Sequence, residues 1–339
     1  MDLIKSDEKR RDKIAVAVHN KYETINGAID PKPFTTNIGT PQGDSLSPVL
    51  FRVYLEHALR DIRPVQNDKQ EPVPAEIIYA DDIDFIGKKD AYVNSIEKTL
   101  KTHCLKVNVD KTEHTSVRKD SEDWKTTKKV GSLLGSKEDI EHRKHLSKIA
   151  FNKLTNIWKS GNKTKQKTKI KLYNSLVKSV LIYNCGTWAL TKTDEDRLDS
   201  FHRKQLRNTL GIRYPTIISN ASLYKKCREA PLSMQVLEAR WRLFGHVLRR
   251  DRNIPANKAM LFYFSDNKRA RGRPQTTLPI TLNNDLKKLV ATKLELTTQT
   301  DLDTLRLIAE DRPKWNALVA EIWKTAEAAR SDDRYSGRL

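Results

Sequence analysis

Residues 76–86 (EIIYADDIDFI) constrain the fold of this 339-residue chain more than any other stretch. Apolar residues alternate on both sides of Asp81 and Asp82, which predicts two short strands joined by a tight turn at these two residues. Neighbouring carboxylates repel each other, and a divalent cation such as Mg²⁺ usually offsets the repulsion because hard carboxylate oxygens suit it. We therefore expect a metal site here, with Asp84 as a helper or a solvated group. The alternative is a surface turn that happens to contain two acids, since Asp is common in turns.

The charge is distributed unevenly along the chain. The formal net charge is +20, but residues 1–90 contain 13 Lys and Arg against 16 Asp and Glu, a net charge of −3. The remainder has a net charge of +23, and all six tryptophans follow position 120. A strong basic excess favours polyanionic partners, with nucleic acid first and an acidic membrane surface second. The sequence thus combines an acidic front with a basic rear.

The sequence predicts neither a membrane-spanning helix nor a secretory signal. No run of about 18 apolar residues occurs, so no transmembrane helix is predicted. The first 13 residues lack the apolar core of a secretory signal. Cys104, Cys185 and Cys227 are scattered and lack metal-ligand spacing, which predicts reduced intracellular thiols.

A glycine-containing loop leads into a predicted helix at residues 39–51 (GTPQGDSLSPVLF). Ser47 followed by Pro48 is typical of a helix start, with Ser at the N-cap and Pro at the first helical position. Apolar residues spaced three or four apart then continue the helix to Ile62. Such a loop can hold phosphates at the helix N-terminus. An ordinary loop-to-helix entry is the alternative.

Two more elements are predicted after the acidic turn. The apolar spacing indicates an amphipathic helix over residues 91–103. Residues 105–113 (LKVNVDKTE) are expected to form a short strand that ends at Lys111. A lysine at this position can meet a triphosphate as a point charge, although a solvated lysine at a strand end is the more common case.

Four motifs in this order resemble a known family. Residues 39–51 match the Gln-Gly-x-x-Leu-Ser-Pro motif of reverse transcriptases, and residues 77–82 match their Tyr-x-Asp-Asp motif. Residues 105–113 match the following motif with asparagine and lysine, and residues 129–136 (KVGSLLGS) are similar to the Leu-Gly strand of the primer grip. Four later segments are similar to those that follow the polymerase in non-LTR (LINE-type) retrotransposon proteins: residues 175–191, 201–212, 240–250 and 269–289. The resemblance spans residues 14–325.

The resemblance implies an α+β fold with four parts. Residues 1–136 would form a partial polymerase palm, a small antiparallel sheet with helices. A helical thumb over residues 137–190 and a basic helical region over residues 191–265 would follow. Residues 266–339 would be a basic linker with terminal helices.

The activity that the resemblance implies is RNA-templated DNA synthesis. A primer 3′-hydroxyl attacks the α-phosphate of a deoxynucleoside triphosphate, and two Mg²⁺ ions assist. Asp81 and Asp82 correspond to metal ligands of the family. The other residues that the resemblance assigns to this site are Tyr79 by the primer end, Gln42, Gly43 and Ser45 at the template or incoming nucleotide, and Lys111 at the triphosphate.

A third metal-binding aspartate of the family lies before the Gln-Gly loop, in a pattern such as Asp-x-x-x-Ala-Phe-Asp. Four aspartates precede the loop here, and none lies in an apolar strand with that pattern: Asp2, Asp7, Asp12 and Asp30. We therefore expect an incomplete two-metal site in a chain that corresponds to the rear part of a longer protein. Loss of one site member usually costs several powers of ten in rate, so the chain alone is expected to lack polymerase activity.

The basic rear is predicted to be helical, with its apolar stripes and tryptophans in the core. Arg240 and Arg242 are expected on the polar side of one of these helices. Clustered cations on such helices favour phosphate contact, although any single one can simply be solvated. The cations expected to contact nucleic acid are Lys163, Lys165, Lys167, Lys169, Lys171, Arg203, Lys204, Arg207, Arg249 and Arg250.

Residues 266–275 (DNKRARGRPQ) form a basic linker. Arg271 and Arg273 within it resemble the core of an AT-hook, and narrow A·T minor grooves attract inserted arginines. A flexible charged hinge is the alternative.

Two other functions remain alternatives to the reverse transcriptase. One is a non-catalytic RNA- or DNA-binding protein derived from such an element. The other is an RNA-dependent RNA polymerase, which usually has glycine before the paired acids where this chain has Tyr79 and Ala80. The expected partners are an RNA template, a DNA primer and deoxynucleoside triphosphates, without a membrane. The expected location is intracellular, in the nucleus, with the cytoplasm as the alternative.

Overall fold

The computed structural model describes residues 44–62, 75–86, 90–117, 121–264, 276–289 and 294–336. The chain divides into two compact units, Met1–Glu113 and His114–Leu339. The described elements are mostly helices with two small antiparallel sheets. This architecture is compatible with the predicted α+β class.

The first unit packs two helices against a hairpin. Its described elements are α1 (Ser47–Ile62), β1 (Ala75–Tyr79), β2 (Asp82–Ile86), α2 (Asp90–Thr102) and a 3-10 turn (Val109–Lys111). The core consists of Leu55, Ala58 and Leu59 from α1 with Ile96 and Leu100 from α2. Ile83 and Phe85 of β2 pack against this core, which fixes the hairpin to the two helices.

Three predicted elements of this unit are confirmed, the strand hairpin and two helices, and one predicted strand is wrong. Helices form where the sequence predicts them, at Ser47–Ile62 and Asp90–Thr102. Residues 105–113 do not form the predicted strand. The side chains of Leu105 and Val107 do alternate inward as in a strand, but the described residues provide no partner strand for them. The segment instead closes into the 3-10 turn, in which Lys111 N donates to Asn108 O at 3.1 Å.

The second unit begins with a small hairpin and continues as helices. The hairpin is β3 (Lys128–Lys129) and β4 (Ser132–Leu133). The helices are α3 (Ser136–Lys153), α4 (Thr155–Trp158), α5 (Gln166–Tyr173), α6 (Ser179–Leu181), α7 (Lys192–Leu210), α8 (Asn220–Cys227), α9 (Leu232–Leu248), α10 (Pro255–Phe264), α11 (Leu278–Leu286), α12 (Gln299–Glu310) and α13 (Arg312–Ser336). None of the helices in the described ranges is long and apolar enough to cross a bilayer.

Three clusters of buried side chains hold these helices together. One joins Tyr173, Leu206 and Leu223 from α5, α7 and α8. A second joins Ile140 of α3 to Trp188, and it extends to α7 and α9. The third and largest lies between α9 and the C-terminal helices, with Trp241 and Trp315 at its centre. The predicted boundaries after residues 136, 190 and 265 stay predictions.

A π-helical turn, Asn174–Lys178, connects α5 to α6. Both Asn174 and Lys178 reach Glu229 from this turn. Asn174 Nδ2 lies 2.6 Å from Oε1 of Glu229, and Lys178 Nζ lies 2.7 Å from its Oε2. The side chains of Lys178 and Glu229 are only 14% and 6% exposed, so the turn is anchored by a largely buried ion pair.

Candidate active site and nucleic-acid interface

The acidic hairpin places three candidate residues side by side. Tyr79 ends β1, Asp82 begins β2, and the two are directly paired in the antiparallel register. The turn therefore consists of Ala80 and Asp81, one residue earlier than predicted. Tyr79 is 63% exposed, and both carboxylates are exposed as well. The hairpin thus presents an aromatic ring and two adjacent carboxylates to solvent.

Ala80 closes this turn in an unfavourable backbone conformation. Its φ is 55°, in the left-handed region that crowds a Cβ atom. Such a residue typically costs about 1–3 kcal/mol and persists only where the surroundings impose it. Here the imposed conformation lies between Tyr79 and Asp81, two of the predicted site residues.

The carboxylates of the hairpin match part of the requirements for magnesium. Asp82 and Asp84 are two residues apart on β2 and therefore lie on one face of the strand. Asp84 is half-buried, whereas Asp81 and Asp82 are exposed. Across the described residues, no three His, Cys, Asp or Glu side chains converge as a metal site would require. Mg²⁺ is often held by one or two carboxylates, with water and substrate phosphates as further ligands. Asp81 and Asp82 can supply that pair.

The other predicted active-site residues lie outside the acidic hairpin. Ser45 is exposed in the bend that precedes α1, next to the helix start. Lys111 is exposed in the 3-10 turn, close to the hydrogen bond from Thr112 Oγ1 to Asn108 O at 2.9 Å. Gln42 and Gly43 lie outside the described residues. The structure therefore brings Tyr79, Asp81 and Asp82 together, and it places Ser45 and Lys111 in the same unit.

The segment that resembles a primer grip forms the β3–β4 hairpin. Val130 and Gly131 make its turn with φ of 46° and 79°, as in the type I′ turns that suit hairpins. Tyr183 Oη donates to Val130 O at 3.0 Å, and Arg143 of α3 donates to Gly131 O. The Arg143 guanidinium also lies 4.3 Å from the centre of the Tyr183 ring. These contacts attach the hairpin turn to the helices behind it.

A buried carboxylate fixes the same hairpin from its other strand. Asp139 of α3 is 1% exposed, and its Oδ1 accepts a hydrogen bond from Leu133 N at 2.9 Å. Its Oδ2 accepts one from Trp188 Nε1 at 2.8 Å. Asp139 therefore connects β4, α3 and the segment before α7.

Four of the five lysines predicted around α5 face solvent. Lys163, Lys165, Lys167 and Lys171 are exposed. Lys169 differs from the prediction, because it is only 5% exposed. Its Nζ donates to Trp158 O at 3.0 Å and to Gly161 O at 3.3 Å, carbonyls left open where α4 ends. Lys169 thus satisfies the backbone rather than a phosphate.

The cations predicted on α7 have different surroundings. Lys204 is exposed and Arg203 is half-buried. Arg207 Nη2 donates to Ile218 O at 3.3 Å and to Asn220 Oδ1 at 2.8 Å. Arg207 therefore anchors the loop before α8, whereas Lys204 is free to contact a ligand.

The arginines predicted at the end of α9 lie beside one cavity. Arg249 Nη1 donates to Ala309 O at 3.1 Å, and Arg250 Nε lies 3.4 Å from His246 Nε2. Both line the cavity, together with residues of α12 and α13. Arg240, which we predicted on the polar side of α9, is instead 1% exposed and paired with Asp285. Arg271 and Arg273 lie outside the described residues.

A longer basic stretch is only partly covered by the predicted nucleic-acid contacts. Residues 142–193 contain 12 Lys and Arg and no Asp or Glu. Lys148, Lys153 and Lys159 from this stretch are exposed on or just after α3 and α4, in addition to the lysines near α5. The sequence signal for these lysines is the absence of Asp and Glu over 52 residues, which becomes visible only when the stretch is considered as a whole.

Comparison with known proteins identifies the family. The model of the family described as reverse transcriptase (RNA-dependent DNA polymerase) matches residues 2–175, about half of the chain. The search of curated proteins gives no match. The search of solved structures gives none either. The matched region includes the acidic hairpin, the Ser45 bend, Lys111 and the primer-grip-like hairpin. The chain belongs to the reverse transcriptase (RNA-dependent DNA polymerase) family.

Proposed function

We propose that this chain is the reverse transcriptase part of a non-LTR (LINE-type) retrotransposon protein, and that the acidic hairpin is the metal-binding end of its palm. The observation that carries the proposal is the two-residue turn that presents Asp81 and Asp82 beside Tyr79. The family match over residues 2–175 supports polymerase chemistry at this hairpin. The motifs after the polymerase region support the LINE type.

Asp81 and Asp82 would hold Mg²⁺, since exposed carboxylates are the hard oxygen ligands that this ion prefers. Bound Mg²⁺ supplies charge neutralisation for the attacking hydroxyl and the leaving pyrophosphate. Tyr79 is exposed enough to lie against the last base pair of a primer. The residues proposed to contact template, incoming nucleotide or triphosphate are Gln42, Gly43, Ser45 and Lys111.

The proposed organisation keeps the four predicted parts. The palm would extend over residues 1–136 and the thumb over residues 137–190. The rigid attachment of the 128–133 hairpin to α3 by Asp139 and Arg143 supports a role for this hairpin in holding a primer strand. The acid-free stretch, residues 142–193, supplies a surface for the phosphates of the template–primer duplex.

We propose further that the 339-residue chain does not polymerise DNA by itself. By resemblance to the family, a third carboxylate would help to hold the two ions in addition to the Asp81–Asp82 pair. None of the aspartates before residue 40 lies in the sequence pattern that carries this carboxylate in the family. A polymerase site without one ligand loses several powers of ten in rate.

A primer-extension assay tests the activity proposal. Poly(rA)/oligo(dT) with Mg²⁺ and labelled deoxythymidine triphosphate should give no product above that of the Asp81→Asn, Asp82→Asn double variant. Incorporation by the wild-type chain that the double variant loses would overturn the proposed inactivity and would still support the reverse transcriptase assignment.

A metal-binding measurement tests the site without requiring turnover. Mn²⁺ is titrated as a paramagnetic substitute in the presence of template–primer and triphosphate, and free Mn²⁺ is followed by electron paramagnetic resonance. Asp81→Asn with Asp82→Asn should weaken Mn²⁺ binding. The control is Asp110→Asn with Glu113→Gln, which also removes two exposed carboxylates from the first unit. Equal Mn²⁺ binding by both double variants would contradict a metal role for the hairpin.

The second candidate function is nucleic-acid binding without catalysis, supported by the acid-free stretch and its exposed lysines. Such a protein would bind RNA or DNA with strong salt dependence and would not respond to changes at Asp81 and Asp82. Either function is carried out on intracellular nucleic acid, and we propose the nucleus as the location. Nuclear exclusion of a tagged full-length chain would contradict that location.

A further inference from the structure

The cavity at the end of α9 is lined by five arginines from three parts of the chain. Arg249, Arg250 and Arg252 follow α9, Arg306 comes from α12, and Arg312 begins α13. The cavity has a volume of about 870 Å³, which is within the range of about 300–1,000 Å³ usual for ligand pockets. We call it the arginine pocket.

The positive charge of the arginine pocket is only partly compensated. Asp251 and Glu310 are the acidic residues among its lining side chains, so the lining carries a formal excess of three positive charges. Asp303 Oδ1 nearby forms ion pairs, at 3.2 Å from Nη2 of Arg252 and 3.8 Å from Nε of Arg306. Arg312 has neither an ion pair nor a hydrogen bond to any side chain in the described ranges. The pocket thus lacks the negative charge needed to balance its arginines.

Two of these arginines repel each other. Burial lowers the pKa of the Arg249 guanidinium, and the positive charge of Arg312 lowers it further. Both arginines line the arginine pocket, and neighbouring like charges are destabilising unless an anion lies between them. A guanidinium pair matches the oxygens of a phosphate group, because each guanidinium can donate two parallel hydrogen bonds.

Buried side chains hydrogen-bond to the backbone around the arginine pocket. Asn257 is fully buried, and its Nδ2 donates to Val247 O, Arg250 O and Asp251 O at 2.9–3.1 Å. Arg306 Nη1 donates to Leu248 O at 2.8 Å. Val247 O and Leu248 O at the C-terminus of α9 are therefore satisfied by protein side chains, and their partial negative charge is compensated before any ligand arrives. The loop that carries Arg249, Arg250 and Arg252 is preorganised for a ligand.

We propose that the arginine pocket binds phosphate groups, and that these belong to the backbone of the nucleic-acid strand that the protein holds. The inference rests on the proposed nucleic-acid function and assigns to it a second contact region, separate in sequence from the acidic hairpin and from residues 142–193. Arg250 and Arg312 are exposed and contact the phosphates directly. Arg249 and Arg306 are tied to backbone carbonyls and set the shape of the pocket.

Binding of a labelled single-stranded RNA to the full chain tests the proposal. The variant is Arg250→Ala with Arg312→Ala. The matched control is Arg197→Ala with Arg242→Ala, which removes the same charge from exposed positions outside the pocket. Fluorescence anisotropy at several KCl concentrations gives Kd and its salt dependence, and thermal unfolding confirms that each variant is folded.

The pocket variant should bind about tenfold more weakly than the control variant. The slope of log Kd against log[KCl] should fall by about 1.4, since each lost phosphate contact contributes about 0.7 for a single strand. Equal affinity and equal slope for the two variants would overturn the pocket while leaving nucleic-acid binding intact. No RNA binding by the wild-type chain would overturn the proposed nucleic-acid function and the pocket with it.

Free phosphates are distinguished in a separate arm with inorganic tripolyphosphate. Tripolyphosphate should compete with RNA for the wild-type chain and should compete less well for the pocket variant. If it raises the melting temperature of the wild type but not of the pocket variant, while RNA affinity is the same in both, the pocket binds free phosphates. That result would overturn the assignment to a nucleic-acid strand.

Discussion

Arg240 Nη2 lies 2.8 Å from Asp285 Oδ2, and the two side chains are only 1% and 4% exposed. Trp241 Nε1 donates to the same oxygen at 3.0 Å. The pair joins α9 to α11 within the largest apolar cluster. A buried ion pair adds little net stability over apolar residues of similar size, but removal of one partner leaves an uncompensated charge.

Asp285→Ala should therefore lower the free energy of unfolding by about 3–5 kcal/mol, measured by urea denaturation. Replacement of both partners, Arg240→Met with Asp285→Leu, should cost less than the single change. The control is Asp196→Ala, which breaks the exposed pair with Lys192 and should cost less than about 1 kcal/mol. Equal losses for Asp285→Ala and Asp196→Ala would refute the structural role of the buried pair.

The buried His202 should make the second unit sensitive to acid. Burial lowers the pKa of His202 to about 3, and repulsion from Lys178 acts in the same direction. An unfolded histidine has a pKa of about 6.5, so below this pH the unfolded chain gains a proton that the folded chain does not. The contribution of His202 to the free energy of unfolding is complete above a pH of about 6.5. It is lost as the pH falls towards 3, by up to about 1.4 kcal/mol per pH unit.

Urea unfolding of His202→Gln as a function of pH measures this contribution. The variant is expected to be less stable than wild type at neutral pH, because Tyr173 Oη loses its 2.8 Å partner at Nδ1. Its stability should nevertheless fall less steeply between pH 6 and pH 4. His145→Gln, at an exposed position, should keep the wild-type pH dependence. The same slope in wild type and His202→Gln would show that another group causes the acid sensitivity.

One substitution in the β3–β4 turn should increase the stability of the second unit. Val130 has a φ of 46°, which is unfavourable for a β-branched residue, and it precedes Gly131 at 79°. Asn-Gly is the preferred pair for such a turn, so Val130→Asn should stabilise the second unit by about 1 kcal/mol. Leu134→Asn is the control, because Val130 and Leu134 are equally exposed at 48%. Stabilisation by both changes would attribute the effect to the removal of exposed apolar surface.

The three cysteines should differ in reactivity. All are free, and Cys104 is exposed whereas Cys185 and Cys227 are buried. Burial raises the pKa of both Cys185 and Cys227 to about 11. Because the thiolate is the reactive form, iodoacetamide should label only Cys104 in the folded protein and all three thiols in urea. Mass spectrometry of the wild type and of Cys104→Ser measures this, and native labelling of Cys104→Ser would contradict the burial of the other two.

Local patterns were sufficient to predict two helices among the described residues of the first unit and the strands of the acidic hairpin, although its turn lies one residue earlier than predicted. The strands around Asp81 and the helix that begins at Ser47 are determined by residues within a few positions of each other. The strand predicted over residues 105–113 failed for a different reason. Its alternation is real, with Leu105 and Val107 directed at the core, but a strand also needs a neighbouring backbone, which the alternation cannot supply.

Charged residues with distant partners could not be predicted from the sequence. Arg240 lies on a helix that looks amphipathic, and only the position of Asp285, 45 residues later, makes its burial favourable. Lys169 belongs to a regular series of lysines, and its burial depends on open carbonyls at Trp158 and Gly161. The arginine pocket likewise joins residues near 250 with Arg306 and Arg312. Its assembly depends on the packing of α9 against α12 and α13.

Because of the π-helical turn Asn174–Lys178, the number of residues in this helical segment matters as much as their identity for aligning its buried side chains. Tyr173, Val177 and Leu181 are four residues apart, and all three are fully inaccessible to solvent. In a regular α-helix residues with this spacing drift around the axis, because one turn takes 3.6 residues. The wider turn, with bonds from i to i+5, offsets the drift and keeps the three side chains on one line. A deletion of one residue here would rotate all downstream side chains about the helix axis. This helix should therefore tolerate substitutions far more readily than a deletion.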